Sequence, residues 1–208
     1  MIRNLIWDLD GTLFDTYPAF IRGFSRALES FGLAVLDAEI EPLARVSLPY
    51  CAQEMSKHYG LDQEKLIDHF LEYYREIPQA EQPPFEGVKE VRDYISSIDG
   101  VNVIVTHRRR ATTEELLETH QMSDLFIDIV AGDDGYPEKP DPASFLMLMG
   151  KYGLKPDETA AVGDRDIDFH AGKEAGLITC MFGSELPGSN PDLDFWEYGD
   201  LLRYLKAS

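Results

Sequence analysis

Asn4-Leu5-Ile6-Trp7-Asp8-Leu9-Asp10-Gly11-Thr12-Leu13 is the stretch that decides the fold. It opens as a short apolar run and breaks into acid and glycine. An apolar run without alternation, ended by turn residues, reads as a strand buried on both faces, the habit of parallel sheets. Gly11 permits a sharp bend, and Asp8 and Asp10 then leave the same turn at the strand's carboxyl end.

Downstream, past Gly87, helices and strands are predicted in strict alternation: helix Val88–Ser97, strand Val101–Thr106, helix Thr112–His120, strand Leu125–Ala131, helix Pro142–Tyr152, strand Thr159–Val162, helix Ile167–Ala175 and strand Leu177–Met181. This order implies a parallel sheet with helices on both faces. Between the first strand and this array the periodicity is helical. Phe20, Ile21, Phe24, Ala27, Leu28 and Phe31 recur at helical spacing up to Gly32. A second stretch covers Asp37 to Tyr59, interrupted by Pro49, and a third runs from Asp62 to Ile77. The residues from Pro78 to Gly87 read as a hinge. The expected architecture is an α/β, Rossmann-like core built from residues 1–15 and 80–208, with an all-α cap, residues 16–79, inserted after strand one. The aromatics Phe20, Phe24, Phe31, Phe70, Tyr73 and Tyr74 are expected to pack between the inserted helices, and ligands are expected at the carboxyl ends of the strands.

Composition narrows the class of partner. The chain of 208 residues holds 19 basic and 38 acidic side chains, a formal net charge of −19. No broad basic face for nucleic acid or anionic lipid is compatible with that balance. Met1–Asp8 reaches charge too early for a signal peptide, and no apolar run approaches the ~20 residues of a membrane span. Cys51 and Cys180 are far apart and lack metal-like spacing. These features together lead us to expect a cytoplasmic protein, a monomer or homodimer, with no membrane or nucleic-acid partner.

The predicted strand ends carry the polar residues. Asp8-Leu-Asp10-Gly11-Thr12 follows strand one, Thr106-His107 follows the second, Lys139-Pro-Asp141-Pro142 precedes a helix, and Gly163-Asp164-Arg165-Asp166-Ile-Asp168 follows the strand Thr159–Val162. This ordered set resembles the haloacid dehalogenase superfamily, and the inserted helical block looks like the cap of its capped, phosphoglycolate phosphatase-like subfamily. The resemblance implies hydrolysis of a small phosphorylated metabolite with Mg2+ as cofactor. In that reading Asp8 is the nucleophile, giving an aspartyl-phosphate, and Asp10 the acid and base. Asp8, Asp10 through its main-chain carbonyl, and Asp164 hold the metal. Thr106, the amide of His107, Gly11 and Lys139 receive the phosphate, and Asp168 and Thr12 support this set from behind.

An acidic protein that binds phosphate needs local positive charge, and a carboxylate-held metal with Lys139 supplies it. Asp141 and Pro142 are expected to start the helix behind Lys139, as N-cap and first residue. The chain departs from the family's habit at Arg165, where a small hydroxyl residue is usual, and at His107, where asparagine is common. The basic run Arg108-Arg109-Arg110 reads first as a solvated face, pairing with Glu114 and Glu115, and second as a substrate contact through Arg108. Substrate-reading residues are expected in cap turns: Arg45, Ser47, Leu48 and Tyr50, near Pro49. Asp166, His58, His69, His120 and His170 read as surface or structural residues. Two rivals use the same core. A phosphosugar mutase would return the phosphoryl group to sugar, and a non-catalytic relative would have no need of the full residue set.

Overall fold

In the computed structural model, which describes residues 1–183 and 188–208, the chain divides into two compact units, one made of Met1–Phe14 with Pro84–Ser208 and the other of Asp15–Pro83. The first contains one parallel sheet. Its strands are β1 (Asn4–Trp7), β2 (Asn102–Val105), β3 (Asp128–Val130), β4 (Thr159–Gly163), β5 (Ile178–Phe182) and β6 (Leu193–Phe195), in the order β3-β2-β1-β4-β5-β6.

Side-chain alternation sorts the strands' residues onto two faces. Leu5 and Trp7 of β1, Ile104 of β2 and Ala160 and Val162 of β4 pack with helices α5 (Val88–Ser97), α6 (Arg110–Thr119) and α9 (Tyr198–Ala207). Ile6, Val103, Val105 and Ala161 face the other way, onto α7 (Ala143–Tyr152) and α8 (Asp166–Glu174). Both faces are therefore covered, which is why β1 and β2 are buried at every position. Trp7 Nε1 donates to Asn102 Oδ1 at 3.0 Å, so its one polar atom is satisfied inside the apolar layer.

The predicted order holds, with shifts at element ends. Helix α6 begins at Arg110 rather than Thr112, and β3 is the short piece Asp128–Val130, preceded by a 3-10 turn at Ser123–Leu125. The strand β6 and helix α9 extend the sheet and its cover beyond the predicted elements.

The second unit holds α1 (Tyr17–Ser30), α2 (Asp37–Ala44), α3 (Leu48–Tyr59) and α4 (Gln63–Arg75) around Phe24, Leu28, Ile40, Met55, Leu66 and Phe70. The expected break at Pro49 is displaced. The chain turns at residues 45–47, and Pro49 lies in the first turn of α3, where its missing N–H costs nothing. Ser47 caps that helix, its hydroxyl accepting from Tyr50 N at 3.2 Å. Phe20 and Phe24 of α1 meet Phe70 of α4 in tilted ring contacts, and Phe70 stacks on Tyr74, with centroids 4.7–5.9 Å apart, as expected of packing between helices. No helix among the described residues is long and apolar enough to cross a membrane.

Candidate active site

The sheet order makes β2, β1 and β4 neighbours, so the residues that follow them emerge side by side. Trp7 is level with Ile104 and Val162, and Asp8 continues the ladder by donating its N–H to Val162 O at 2.8 Å. Thr106 N is held by Val130 O at 2.9 Å. Asp8, Thr106 and Asp164 thus leave one edge, where Asp8 and Thr106 are each 3% exposed.

Lys139 reaches this edge from the loop before α7. Its Nζ lies 2.6 Å from Asp8 Oδ1, 2.6 Å from Asp168 Oδ1 and 3.0 Å from Val105 O. Burial of charge here is tolerated because each ion has an opposite partner and a hydrogen bond. The electrostatics are uneven. Burial pushes the Asp8 carboxyl up to about 6, against the pull of Lys139. For Asp168, burial also acts upward, but Lys139 and Arg165 outweigh it and hold the group below the usual carboxylate range. Burial likewise opposes the Lys139 charge, and Asp168 and Asp8 overcome it, so the ammonium is held above its ordinary value.

Asp168 is oriented from both ends. Its second oxygen accepts from Arg165 N at 3.1 Å, at the start of α8. A Cβ on Gly163 would lie 2.3 Å from Asp168 Cβ, so only glycine ends β4 without displacing that carboxylate. With both oxygens engaged, Asp168 supports Lys139.

The donor set fits a hard divalent cation. One oxygen each from Asp8, Asp164 and Asp168 lies within 4.8 Å of the others, all three buried. Of the three, Asp168 is engaged by Lys139 and by Arg165 N. Between the other two stands the Thr12 hydroxyl, 3.5 Å from Asp8 Oδ2 and 3.2 Å from Asp164 Oδ1. A cluster of buried carboxylate oxygens this close together is the kind of donor set that a hard divalent cation takes. The loop that holds Thr12 bends at Gly11, whose φ of 79° suits glycine, and Tyr198 OH donates to the Thr12 carbonyl. The spacing Tyr198, Leu201, Leu205 marks a helix face, and no sequence signal marks the contact.

The segment after β2 departs from expectation. Arg108 is turned inward: its Nη1 lies 2.7 Å from Asp10 Oδ1, and its side chain is 7% exposed. It belongs neither to a solvated face nor to Glu114 and Glu115. Arg109 does face solvent and approaches Asp133, and Arg110 pairs with Asp134 at 2.6 Å and with Glu114 at 3.2 Å. Of the acids that take these two arginines, Asp133 and Asp134 lie in the loop after β3 and Glu114 lies on α6, as expected. His107 sits half-buried near Lys139 and Arg165, and burial with those two cations pushes its imidazole down to about 4, so it is neutral at pH 7.

The helix behind Lys139 begins one residue later than expected. Pro142 is its N-cap, and Asp141 Oδ1 accepts from Ala143 N at 2.9 Å. In the helical unit, Arg45 pairs with Glu41 and lies 4.5 Å over the Tyr17 ring, Ser47 is used as the cap of α3, Leu48 packs on the helical core, and Tyr50 is exposed.

A parallel sheet with an acid pair after β1 and a lysine–carboxylate cluster at the same edge is the frame of a hydrolase. The chain belongs to the haloacid dehalogenase-like hydrolase family, whose model matches residues 5–182. It is 29% identical to a phosphoglycolate phosphatase of Yersinia pestis, over 97% of this chain and 92% of that protein. It is 28% identical to the pyrophosphatase PpaX of Oceanobacillus iheyensis, over 91% and 87% of the two chains. Among solved structures, a hydrolase from Streptococcus pneumoniae TIGR4 is 27% identical with a TM-score of 0.69, covering 99% of this chain and 98% of that one.

Proposed function

We propose that this chain is a Mg2+-dependent phosphatase acting on a small organic phosphomonoester through an aspartyl-phosphate on Asp8. The carrying observation is the Asp8 carboxylate itself, buried at the sheet edge and held by Lys139 at 2.6 Å, with Asp10 two residues away on the same turn. In the first step an Asp8 oxygen bonds to phosphorus, the bond from phosphorus to the ester oxygen breaks, and that oxygen takes the proton of the Asp10 carboxyl. In the second, a water oxygen bonds to phosphorus, its proton passes to Asp10, and the bond from phosphorus to Asp8 breaks.

Lys139, Thr106 and the amide of His107 receive the phosphate oxygens, with Gly11 leaving room for the turn. Asp8 and Asp164, with the main-chain carbonyl of Asp10, would hold the Mg2+. When bound, the ion offsets repulsion between a carboxylate and a phosphate dianion. The helical unit, residues 16–79, acts as the cap, and it reads the rest of the ester through Arg45 and Ser47 in the turn before α3 and Leu48 at the start of that helix. Ser47 contributes by shaping its turn, since its hydroxyl is engaged. The two buried, free cysteines and the acidic charge accord with a cytoplasmic setting. The names of the relatives make phosphoglycolate the first compound to try, with pyrophosphate beside it.

Phosphate release from 4-nitrophenyl phosphate and from such a panel, with Mg2+, is the direct measurement. The Asp8→Asn enzyme should lose kcat by about 10³-fold or more. Full activity in that variant ends the mechanism. Isomerised product from a hexose 1-phosphate, in place of free phosphate, reassigns the chain as a phosphosugar mutase.

A further inference from the structure

The three arginines after β2 are neighbours in sequence with unlike surroundings. Arg109 is 76% exposed, whereas the Arg108 side chain is 7% exposed, although the residue beside it in the structure, Asp10, is 32% exposed. A long cation thus lies buried against a carboxylate that is itself partly open to solvent. The backbone of Arg108 is pinned on both sides. Its N–H donates to Thr106 Oγ1 at 3.0 Å, and its carbonyl accepts from Gly132 N at 2.9 Å. Gly132 approaches so closely that a Cβ there would lie 2.2 Å from His107 O. The next turn is clamped in the same direction: Arg110 Nη2 lies 2.6 Å from both Ile129 O and Asp134 Oδ2, and Arg110 N donates to Asp133 Oδ1 at 2.7 Å. The loop backbone is thus held at Arg108, whose guanidinium has a permanent charge and donors in a fixed plane.

Resting on the phosphatase reading above, we propose that Arg108 is a positioning residue for the leaving-group step: it grips Asp10 Oδ1 and so presents Oδ2 to the departing ester oxygen. The pair is spaced for a charge-assisted hydrogen bond, and it uses one carboxyl oxygen only. Arg108 touches no reacting atom in this account. It limits the rotation of a half-exposed acid whose misplacement would slow proton transfer.

The test exploits the leaving group. The ratio kcat/KM covers events up to departure of the alcohol, and a nitrophenolate leaves without a proton while an alkoxide does not. For Arg108→Met we expect kcat/KM for an alkyl phosphate to fall by about 10²-fold, within the contribution typical of a positioned acid, while that for 4-nitrophenyl phosphate changes little. In an Asp10→Asn background the same substitution should add almost nothing for either ester, since contacting residues of one device are not additive. Arg108→Lys, which keeps charge and stem, serves the same comparison if the methionine variant fails to fold. Equal losses on both esters would mean that Arg108 holds the phosphate itself, and additive losses that it acts apart from Asp10. Either result overturns the proposal while the phosphatase reading stands. Failure of the wild-type enzyme to hydrolyse either ester overturns both.

Discussion

At the carboxyl edge of the sheet Asp8, Lys139, Asp164 and Asp168 are buried together, whereas in the helical unit the buried polar residues are Thr16, Ser56 and Gln82, none of them charged. The helical unit keeps its ions outside. Arg22–Glu81, Arg26–Glu76 and Arg45–Glu41 are half-exposed pairs, each contributing about 0–1 kcal/mol. Its cohesion comes from Phe24, Phe70 and the aliphatic residues packed around them. The sheet edge does the opposite, taking charges from water at a desolvation cost that their pairing only partly offsets. Stability alone would not select such a cluster, and the same desolvation that weakens it as structure sharpens it as a reactive site. The contrast can be broken from either side.

The largest effect is expected at Lys139. In Lys139→Met the carboxylates of Asp8 and Asp168 remain buried and lose their shared cation. At pH 8 we expect a loss of about 3–5 kcal/mol in unfolding free energy, with turnover abolished. Urea unfolding beside phosphate release checks both. A variant as stable as wild type would mean that the cluster is wetter than its burial indicates.

Asp8→Asn should behave in the reverse sense for stability. The folded-state value of Asp8, about 6, lies above the ordinary carboxylate value of 3.8, so the fold binds this proton more tightly than the unfolded chain does. Its ionisation therefore costs stability, and the cost grows as pH rises from about 4 through about 6 and is complete above that. Asparagine carries no charge to bury, and Lys139 keeps Asp168 as partner. In metal-free buffer at pH 8 the inactive variant should equal or exceed wild type by about 1 kcal/mol or more, and at pH 4 that difference should vanish. Added Mg2+ should raise the melting temperature of wild type and raise that of the variant less, because the variant has lost a ligand. A variant that is less stable at pH 8 would place the balance at Asp8 with Lys139 rather than with burial.

The parts of this site legible in the sequence are those that depend on strand ends. Asp8 and Asp164 follow short apolar runs, and a parallel sheet brings such ends to one edge whatever fills the rest of the chain. Asp168, one turn beyond Asp164, was readable as a supporting residue, and its contact with Lys139 comes from the structure. What resisted reading depends on side-chain direction between distant segments. Asp10 and Arg108 are 98 residues apart, and a run of three arginines carries no mark of which one turns inward. Tyr198 reaches Thr12 across 186 residues from a helix beyond the predicted elements. The three-residue strand β6 is too short to show a period. Pro49 misled because proline breaks a helix interior yet suits a first turn, and the cap at Ser47 decides between the two.

The smallest stability effect is expected at Arg45, and it sharpens the comparison most. Its guanidinium is half-exposed, pairs with Glu41 one turn away and lies over Tyr17. As structure these contacts contribute little: an exposed pair at this spacing gives about 0.3–0.5 kcal/mol, and an exposed cation–π contact adds about 0.5–1 kcal/mol. Arg45→Ala should therefore lower the unfolding free energy by about 1 kcal/mol, against several for Lys139→Met. Its catalytic signature should differ too. If the helical unit reads the ester's remainder through this turn, KM for a carboxylated or otherwise anionic ester should rise while kcat for 4-nitrophenyl phosphate stays near wild type, since uniform binding and not the chemical step is lost. A fall in kcat on both esters would place Arg45 among the residues of the reaction, and an unchanged KM on every anionic ester would leave it a surface arginine with two weak contacts.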